Sequence, residues 1–320
     1  MVTEVLYGLD SDVRERVAAL RADGRFFWLD VSLRETSCDD LAEALAIPER
    51  ALRALSGSSE AYASRTLHAD GESVVFSVRC DVELEAPAGK TAYRLRPIEI
   101  QVLVTGDYLL TLHGQRVSLP AVLIPDLPEE RSRRYVVYSV LDAVLTSSFD
   151  ALGEVELRLD AAAARWSDEN HVRLPRTTLR EAGARLATMR RRVGAEQAVF
   201  ERAGVEIGAL RGFDTDEEPY FDRLGEQVNH LVVSIDAAAN SLGTLLDLQL
   251  NERAYVVSVL AAIFVPLTFI TGFFGMNFGW MVDQIDSPIA FWLLALVMPI
   301  ATGALAWSLV VRRFLTGEDS

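Results

Sequence analysis

The stretch Ala254–Phe274 reads AYVVSVLAAIFVPLTFITGFF, which is 21 residues without a charged side chain. As an α-helix it would be roughly 32 Å long, close to the thickness of the hydrocarbon core of a bilayer. A second stretch, Ile289–Val311, has 23 uncharged residues with aromatic side chains near both ends, as expected at membrane surfaces. The alternative is a pair of core helices, which rarely run past about 20 residues without a charge. The sequence therefore predicts two membrane spans.

The charges that flank these spans predict their orientation. Arg253 precedes the first span, Arg312 and Arg313 follow the second, and the connecting residues 275–288 contain no Lys or Arg. Because basic residues stay on the cytoplasmic side, we expect both termini and the tail 312–320 in the cytoplasm and the connecting loop outside. The amino-terminal sequence lacks a signal-peptide pattern, which agrees with this orientation.

Charge is concentrated before the spans. The 320 residues include 31 Lys and Arg against 46 Asp and Glu, a formal net charge of −15. Residues 251–320 contain three of the basic and five of the acidic residues, which leaves 28 and 41, a net charge of −13, in residues 1–250. This negative charge argues against binding to nucleic acid, which needs clustered Lys and Arg. An acidic domain attracts cations instead.

The residues before the spans predict an α+β domain, a mixed sheet flanked by helices, at 1–128, and a helical region at 129–219. Apolar patterns predict strands, the last of which turns as a hairpin at 105–107, and Ser37 is placed to cap a short helix. We interpret the run Arg190–Arg192 as a solvated helix face. The predicted strands are Arg25–Val31, Ser73–Leu84 and Ile98–His113, and the predicted helices are Cys38–Leu45, Arg134–Leu152 and Leu179–Ala203.

A heptad pattern follows in residues 220–250. Apolar residues recur in steps of four and three, which is the spacing of a coiled-coil seam. No proline interrupts residues 221–265, so a stalk helix at 220–253 would continue directly into the first span at 254–274. Such a helix would carry cytoplasmic movement into the membrane; the alternative is an amphipathic helix that packs only on its own domain. The seam consists of Leu224, Val228, Leu231, Ile235, Ala238, Leu242 and Leu245.

Signatures of enzymes are missing from the sequence. It contains no GxxxxGK[ST], GxGxxG or HExxH motif, and its four histidines have no Cys or His at ligand spacing. Cys38 and Cys80 show no partner spacing, which predicts a reducing compartment. We therefore expect neither an enzyme nor a resident cofactor.

An acidic cluster precedes the long helix. Asp214, Asp216 and Asp222, together with the two glutamates between them, place five carboxylates within nine residues. Acids are favoured at a helix N-terminus by the helix dipole, and closely spaced oxygen ligands also suit Mg²⁺ or Ca²⁺. Both interpretations stay open at this point.

Small and polar residues form one line along the first span. At three- or four-residue spacing they share a helix face, which either lets helices pack closely or lines a narrow aqueous path. Val257 lies beside this line, where an apolar constriction would close such a path by dewetting. Pro266 has no N–H for the carbonyl of Ala262, and a freed carbonyl at membrane depth requires protein or water beside it. The line consists of Asn251, Ala254, Ser258, Ala261, Val265, Thr268 and Gly272.

The end of the first span carries a motif that resembles a known family. Tyr255–Phe278 reads YVVSVLAAIFVPLTFITGFFGMNF, and its Gly275-Met276-Asn277 tripeptide after a PLTF sequence closely resembles the signature of CorA-type divalent-cation transporters of the CorA/ZntB superfamily. Two spans at the carboxyl end and an acidic α/β front match the same family. Trp28-Leu29-Asp30 and the LLTLH segment are also typical of it.

The resemblance implies a funnel-shaped homopentamer in the lipid of a prokaryotic inner membrane. The first spans would line the pore, the second spans at 289–311 would surround them, and the cytoplasmic domains would form the funnel. Gly275, Met276 and Asn277 would form a selectivity filter at the outer mouth that holds Mg²⁺ with its water shell, since Mg²⁺ loses water reluctantly. Val257 and Val265 would correspond to apolar gate residues. Transport would be passive, with Co²⁺ and Ni²⁺ as further substrates.

Departures from the family pattern leave the ion open. The stalk is about one heptad shorter than is usual, as in the ZntB branch, whose members transport Zn²⁺. Met276 and Trp280 instead favour the Mg²⁺ branch. Asp283 and Asp286 would replace the acids of the external loop found in other members. The acidic cluster, with Asp222 first, would bind regulatory Mg²⁺ in the cytoplasm.

An interpretation from another class is a membrane-anchored coiled-coil sensor or scaffold that conducts no ions. The line of small residues would then pack helices, and the acidic cluster would bind a protein partner. Stoichiometry distinguishes the two interpretations, since a signalling coiled coil forms a dimer or trimer and the family pore a pentamer.

Overall fold

The computed structural model describes residues 4–57, 67–83, 94–115, 119, 132–167, 176–213, 219–276, 287–304 and 308. Internal contacts divide the chain into two compact units, Met1–Leu242 and Gly243–Ser320. The helices and strands are β1 (Glu4–Tyr7), α1 (Ser11–Ala22), β2 (Phe27–Ser32), α2 (Cys38–Leu45), α3 (Glu49–Gly57), β3 (His68–Ala69), β4 (Ser73–Glu83), β5 (Leu95–Thr105), β6 (Tyr108–His113), α4 (Arg133–Ser167), α5 (Arg176–Gly208), α6 (Tyr220–Phe274) and α7 (Pro288–Phe291).

In the described part of the chain, the strands form one mixed sheet in the order β1-β2-β6-β5-β4-β3. β1, β2 and β6 run parallel, whereas the pairs β6–β5, β5–β4 and β4–β3 are antiparallel. The predicted mixed sheet with flanking helices is therefore confirmed. The hairpin turn at 105–107 is also confirmed, since β5 ends at Thr105 and β6 begins at Tyr108.

Two strand boundaries differ from the prediction. β2 begins at Phe27 rather than Arg25, and β5 begins at Leu95, before the predicted start at Ile98. β5 therefore includes Pro97, which lies opposite Asp81 of β4. The N–H of Asp81 points away from β5, toward a side chain of α4, so this pair is not joined by ladder hydrogen bonds. A proline, which has no N–H to donate, is tolerated at such a position.

β2, which lies between β1 and β6, is buried on both faces, which explains why four of the six residues in its sequence FWLDVS are apolar. Phe27, Leu29 and Val31 belong to a core cluster with apolar residues of α1, α2 and α3. Trp28 and Asp30 alternate to the opposite face. Helix α2 begins as predicted, with the Ser37 hydroxyl accepting a hydrogen bond from the Asp40 N–H at 3.2 Å.

Asp30 is a buried carboxylate in β2, and hydrogen bonds hold it. Its Oδ1 accepts the Thr111 hydroxyl at 2.6 Å, and its Oδ2 accepts the N–H of Leu119 at 3.0 Å. Thr111 Oγ1 in turn accepts the Trp28 indole N–H at 3.0 Å. His113 Nε2 lies 3.4 Å from Asp30 Oδ1, without hydrogen-bond geometry. The Trp28-Leu29-Asp30 motif thus joins β2 to β6 and to residue 119.

Side chains from two helices cover the outer edge of β4. The N–H groups of Arg79 and Asp81 face away from β5. Glu196 of α5 accepts the first at 3.1 Å through Oε1, and Ser147 of α4 accepts the second at 2.9 Å. These acceptors satisfy backbone donors that a neighbouring strand would otherwise take.

A buried ion cluster lies beside this edge. The Asp81 carboxylate receives Arg185 at 3.1 Å and Arg192 at 2.5 Å, both from α5. The prediction that the run Arg190–Arg192 is a solvated helix face is wrong for Arg192, which is 6% exposed. Its guanidinium is drawn inward because an unpaired buried Asp81 would be strongly unfavourable.

Within the first unit, α6 packs on α4 and α5 through its heptad seam. Every seam residue from Leu224 to Leu242 is buried by the chain itself. This part of the seam therefore lies against the protein's own domain and is not free to pair with another chain. Polar contacts flank it: Gln227 donates to Asp142 of α4 at 2.8 Å.

Helix α6 is continuous from Tyr220 to Phe274, a length of 55 residues that includes Pro266. The predicted run of the stalk helix into the first span is therefore confirmed. In the second apolar stretch, helix α7 begins at Pro288, one residue before the predicted start of the span, with Ser287 as its N-cap. After α7 the chain forms a π-helical segment, Trp292–Val297, and residues 298–304 are again α-helical.

Two described helices are long and apolar enough to span a membrane, Arg133–Ala164 within α4 and Tyr220–Phe273 within α6. In the most apolar window of α4, 56% of the residues are buried inside the protein, compared with 0% in α6. α4 is therefore a core helix. α6 instead leaves its apolar segment uncovered by the chain.

Candidate functional site

The predicted line of small and polar residues lies on the exposed part of α6. At 100° per residue its seven positions fall within a sector of about 100° around the helix. The structure therefore brings them onto one face, and Val257 lies beside it. All of them are exposed in the chain: Asn251, Ala254, Val257, Ser258, Ala261, Val265, Thr268 and Gly272.

The hydroxyl groups on this face are held by their own helix. Ser258 donates to the carbonyl of Ala254 at 2.8 Å, and Thr268 donates to the carbonyl of Phe264 at 2.7 Å. Each hydroxyl proton is thereby occupied, while the lone pairs of the oxygen face outward. Oxygens of this kind accept hydrogen bonds from water, including the water shell of a cation.

The helix ends at the start of the glycine-methionine-asparagine motif. The Gly275 N–H donates to the Thr271 carbonyl at 2.9 Å, and the Met276 N–H donates to the Phe273 carbonyl at 3.3 Å. A Cβ at position 275 would lie 3.0 Å from the Thr271 carbonyl oxygen, so glycine lets the backbone turn closely here. Gly275 and Met276 are exposed. Asn277, Asp283 and Asp286 lie outside the described residues.

Of the acidic cluster, the structure describes only Asp222, while Asp214 and Asp216 lie outside the described residues. Asp222 is exposed in the first turn of α6, where the helix dipole stabilises a negative side chain. Nearby, the rings of Tyr135 and Tyr138 pack against Tyr220 with centroids 5.6 and 5.1 Å away. Within the residues that the structure describes, no group of three or more His, Cys, Asp or Glu could hold a metal ion.

Sequence reasoning missed the titratable groups beside β4. Glu196 is 3% exposed, and burial raises its pKa to about 7, against the lowering effect of the Arg192 charge. Burial likewise raises the pKa of the Cys80 thiol to about 12, so this cysteine is unreactive. One signal was available: Arg192 and Glu196 are four residues apart on α5 and share a helix face.

The family model described as "CorA-like Mg2+ transporter protein" matches residues 23–313. Among curated proteins, the chain is 26% identical over 292 residues to the zinc transport protein ZntB of Pectobacterium atrosepticum, covering 86% of this chain and 83% of that protein. The resemblance inferred from the Gly275-Met276-Asn277 motif is thereby confirmed.

Solved structures agree on the fold. The full-length CmaX protein matches with a TM-score of 0.58 and 19% identity, covering 89% of this chain and 87% of that one. The CorA magnesium transporter from Methanocaldococcus jannaschii matches with a TM-score of 0.53 and 15% identity, covering 88% and 89%. The family model spans nearly the whole chain, including most of the sheet and the second apolar segment. The protein belongs to the family of CorA-like Mg²⁺ transporter proteins, within the CorA/ZntB superfamily.

Proposed function

We propose that the protein is a homopentameric membrane channel that lets hydrated Mg²⁺ enter the cytoplasm. The observation that carries this proposal is the exposed segment of α6. From Ala254 to Phe274 it has no charged side chain, and none of its most apolar window is buried by the chain. One face carries Ser258 and Thr268 and continues to Asn251 just before this stretch. Apolar residues on the remaining faces suit lipid and neighbouring helices, whereas an amide and hydroxyls on one face suit water.

The ion would pass the motif at the outer end of α6. Asn277 amide oxygens and Gly275 carbonyls from several copies would hold the water shell of Mg²⁺, which is costly to remove. Val257 and Val265 would form apolar constrictions that close the path by dewetting. Entry would be passive, because a negative interior favours a divalent cation by about 4.6 kcal/mol per 100 mV. Co²⁺ and Ni²⁺ would follow the same path.

The orientation follows from the flanking charges. With Arg253, Arg312 and Arg313 on the cytoplasmic side, the acidic first unit would lie in the cytoplasm and the loop with Asp283 and Asp286 outside. These loop acids would raise the local concentration of cations at the entrance. The membrane would be the inner membrane of a prokaryote.

A second candidate is Zn²⁺ transport. It is favoured by the match to a zinc transport protein over 86% of this chain and by the shortened stalk. Both candidates use the same exposed face of α6 and differ in the ion selected.

The experiment is ion flux into liposomes that contain the purified full-length protein, with Mg²⁺ and Zn²⁺ measured in parallel, with and without a pH gradient. We expect Mg²⁺ entry without a gradient, its loss in Asn277→Ala, and normal entry in the control Asn240→Ala, which removes an exposed amide from the first unit. Zn²⁺ entry that requires the gradient would select the second candidate. Normal Mg²⁺ entry in Asn277→Ala would refute the filter.

Stoichiometry provides an independent test. Mass photometry of the full-length protein in detergent should give a pentamer. A dimer or trimer that passes neither ion would support the non-conducting coiled-coil scaffold instead.

A further inference from the structure

Helix α5 lies between the sheet and α6 and makes polar contacts with both. Toward β4, Arg192 reaches the Asp81 carboxylate and Glu196 accepts the Arg79 N–H. Toward α6, Arg190 donates to Asp236 at 2.8 Å. α5 therefore connects β4 to the long helix through side-chain contacts on both of its sides.

Further contacts between α5 and α6 extend along the interface. The Gln197 amide donates to Asn229 at 2.9 Å. A Cβ on Gly204 would lie 2.7 Å from the Cβ of Phe221, so the helices touch there with no spare room. Polar and close apolar contacts therefore join α5 to α6 along this interface.

Glu196 is a buried carboxylic acid at the contact between α5 and β4, and its pKa lies near neutral pH. The groups that act on its carboxylate are Arg192 on α5 and Arg79, Cys80 and Asp81 on β4. The two arginines favour its ionised form, but burial disfavours that form more strongly and raises its pKa to about 7. The Arg192 guanidinium is paired with the Asp81 carboxylate at 2.5 Å, which limits how far its charge stabilises the ionised form of Glu196.

We propose that Glu196 is a cytoplasmic pH switch: in its neutral form α5 packs firmly on β4, in its ionised form this packing loosens, and α6 transmits the difference to transport. The transport part rests on the proposed function, whereas the packing part does not. An ionised Glu196 would need water or a second cation near β4, and loosening of α5 admits water.

The direction of the pH effect on the packing of α5 follows from the coupling between proton binding and packing. A carboxyl group whose folded-state pKa is raised stabilises the packed state below its ordinary pKa, and this contribution is lost as the pH rises through about 7. Between about pH 8 and pH 6, the protection of α5 against opening should therefore rise about tenfold.

The test is amide hydrogen exchange of the full-length protein in liposomes, with rates corrected for the intrinsic pH dependence of exchange. We expect the tenfold gain in protection of α5 in the wild-type protein. Glu196→Gln, which is neutral at every pH, should protect α5 at about pH 8 as strongly as the wild-type protein does at about pH 6. The control Glu181→Gln, which neutralises an exposed acid on the same helix, should keep the wild-type response.

Ion flux in the same liposomes tests the second part. At a lumenal and external pH of about 8, Glu196→Gln should conduct as the wild type does at about pH 6. Protection of wild-type α5 that does not change with pH, or an unchanged pH response in Glu196→Gln, would overturn the switch. Absence of Mg²⁺ and Zn²⁺ flux at every pH, with the exchange results as expected, would instead overturn the proposed function. The wild-type profile needs no variant, so a folding defect in Glu196→Gln does not remove the test.

Discussion

The Arg192 guanidinium lies 2.5 Å from the Asp81 carboxylate, and both side chains are buried. Two residues earlier on the same helix, Arg190 pairs with Asp236 at 2.8 Å, but about half of each of these side chains is exposed. The two ion pairs have similar geometry and opposite environments. Buried charges that lose their partner are costly, whereas exposed pairs contribute little.

The two arginines provide a matched comparison. Arg192→Met keeps much of the side-chain volume but leaves Asp81 with only Arg185 as a cationic partner. We expect it to lower the free energy of unfolding by about 3–5 kcal/mol. Arg190→Met should lower it by less than about 1 kcal/mol. Denaturant unfolding of the full-length protein in detergent measures both, and equal effects would show that burial does not decide the strength of these pairs.

A second prediction concerns Thr111, whose hydroxyl connects Trp28 and Asp30. Thr111→Val has the same shape but leaves the indole N–H and one carboxylate oxygen without this partner. The expected loss of stability is about 1–3 kcal/mol. Thr188→Val removes an exposed hydroxyl whose partners, the Ala184 carbonyl and the Arg191 guanidinium, lie on its own helix, and it should change stability by less than about 0.5 kcal/mol. If Thr111→Val left the stability of the protein unchanged, the hydrogen bonds around Asp30 would not be needed for stability.

Glycines on α5 and α6 should respond in opposite directions to alanine. At Gly204 a new Cβ would lie 2.7 Å from Phe221, so Gly204→Ala should separate α5 from α6 and cost about 1–3 kcal/mol. At Gly225, inside α6, a Cβ meets nothing within 4 Å. Gly225→Ala should therefore stabilise the helix by about 0.5–1 kcal/mol. Thermal unfolding distinguishes the two, and a shift of the same sign would contradict the close contact.

We propose that the acidic cluster before α6 binds regulatory Mg²⁺, as the family resemblance implies, so that loss of its carboxylates weakens inhibition by Mg²⁺. Replacing Asp214, Asp216 and Asp222 together with Asn should raise the cytoplasmic Mg²⁺ concentration needed to stop flux, because fewer carboxylates remain to bind the ion. Flux into liposomes with increasing Mg²⁺ on the cytoplasmic side gives this concentration. Replacing Asp283 and Asp286 with Asn serves as the control and should leave inhibition by cytoplasmic Mg²⁺ unchanged. Unchanged inhibition in the triple variant would show that the cluster does not bind regulatory Mg²⁺ and only stabilises the start of the helix.

Local patterns predicted the long helix closely. The uncharged stretch from Ala254 to Phe274 and the absence of proline before Pro266 describe a continuous helix, and α6 ends at Phe274. The line from Asn251 to Gly272 was also predictable, because a three- or four-residue spacing fixes a helix face without knowledge of the rest of the fold.

Contacts between distant residues were not predictable in this way. Arg192 is 111 residues from Asp81, and Thr111 is 81 residues from Asp30. Periodicity reports only on neighbours along one element, so Arg192 was predicted to be solvated. The π-helical segment before Pro299 was missed for a different reason. A proline in an apolar span indicates a disturbance of the helix but not its form.

The side-chain caps on β4 also limit how the sheet can grow. An exposed strand edge invites another chain to add a strand, which leads to uncontrolled aggregation. Here Glu196 and Ser147 already occupy the donors of Arg79 and Asp81, so an incoming strand would have to displace two helices. Crowding many copies into one membrane therefore carries little risk of fibre formation through this edge.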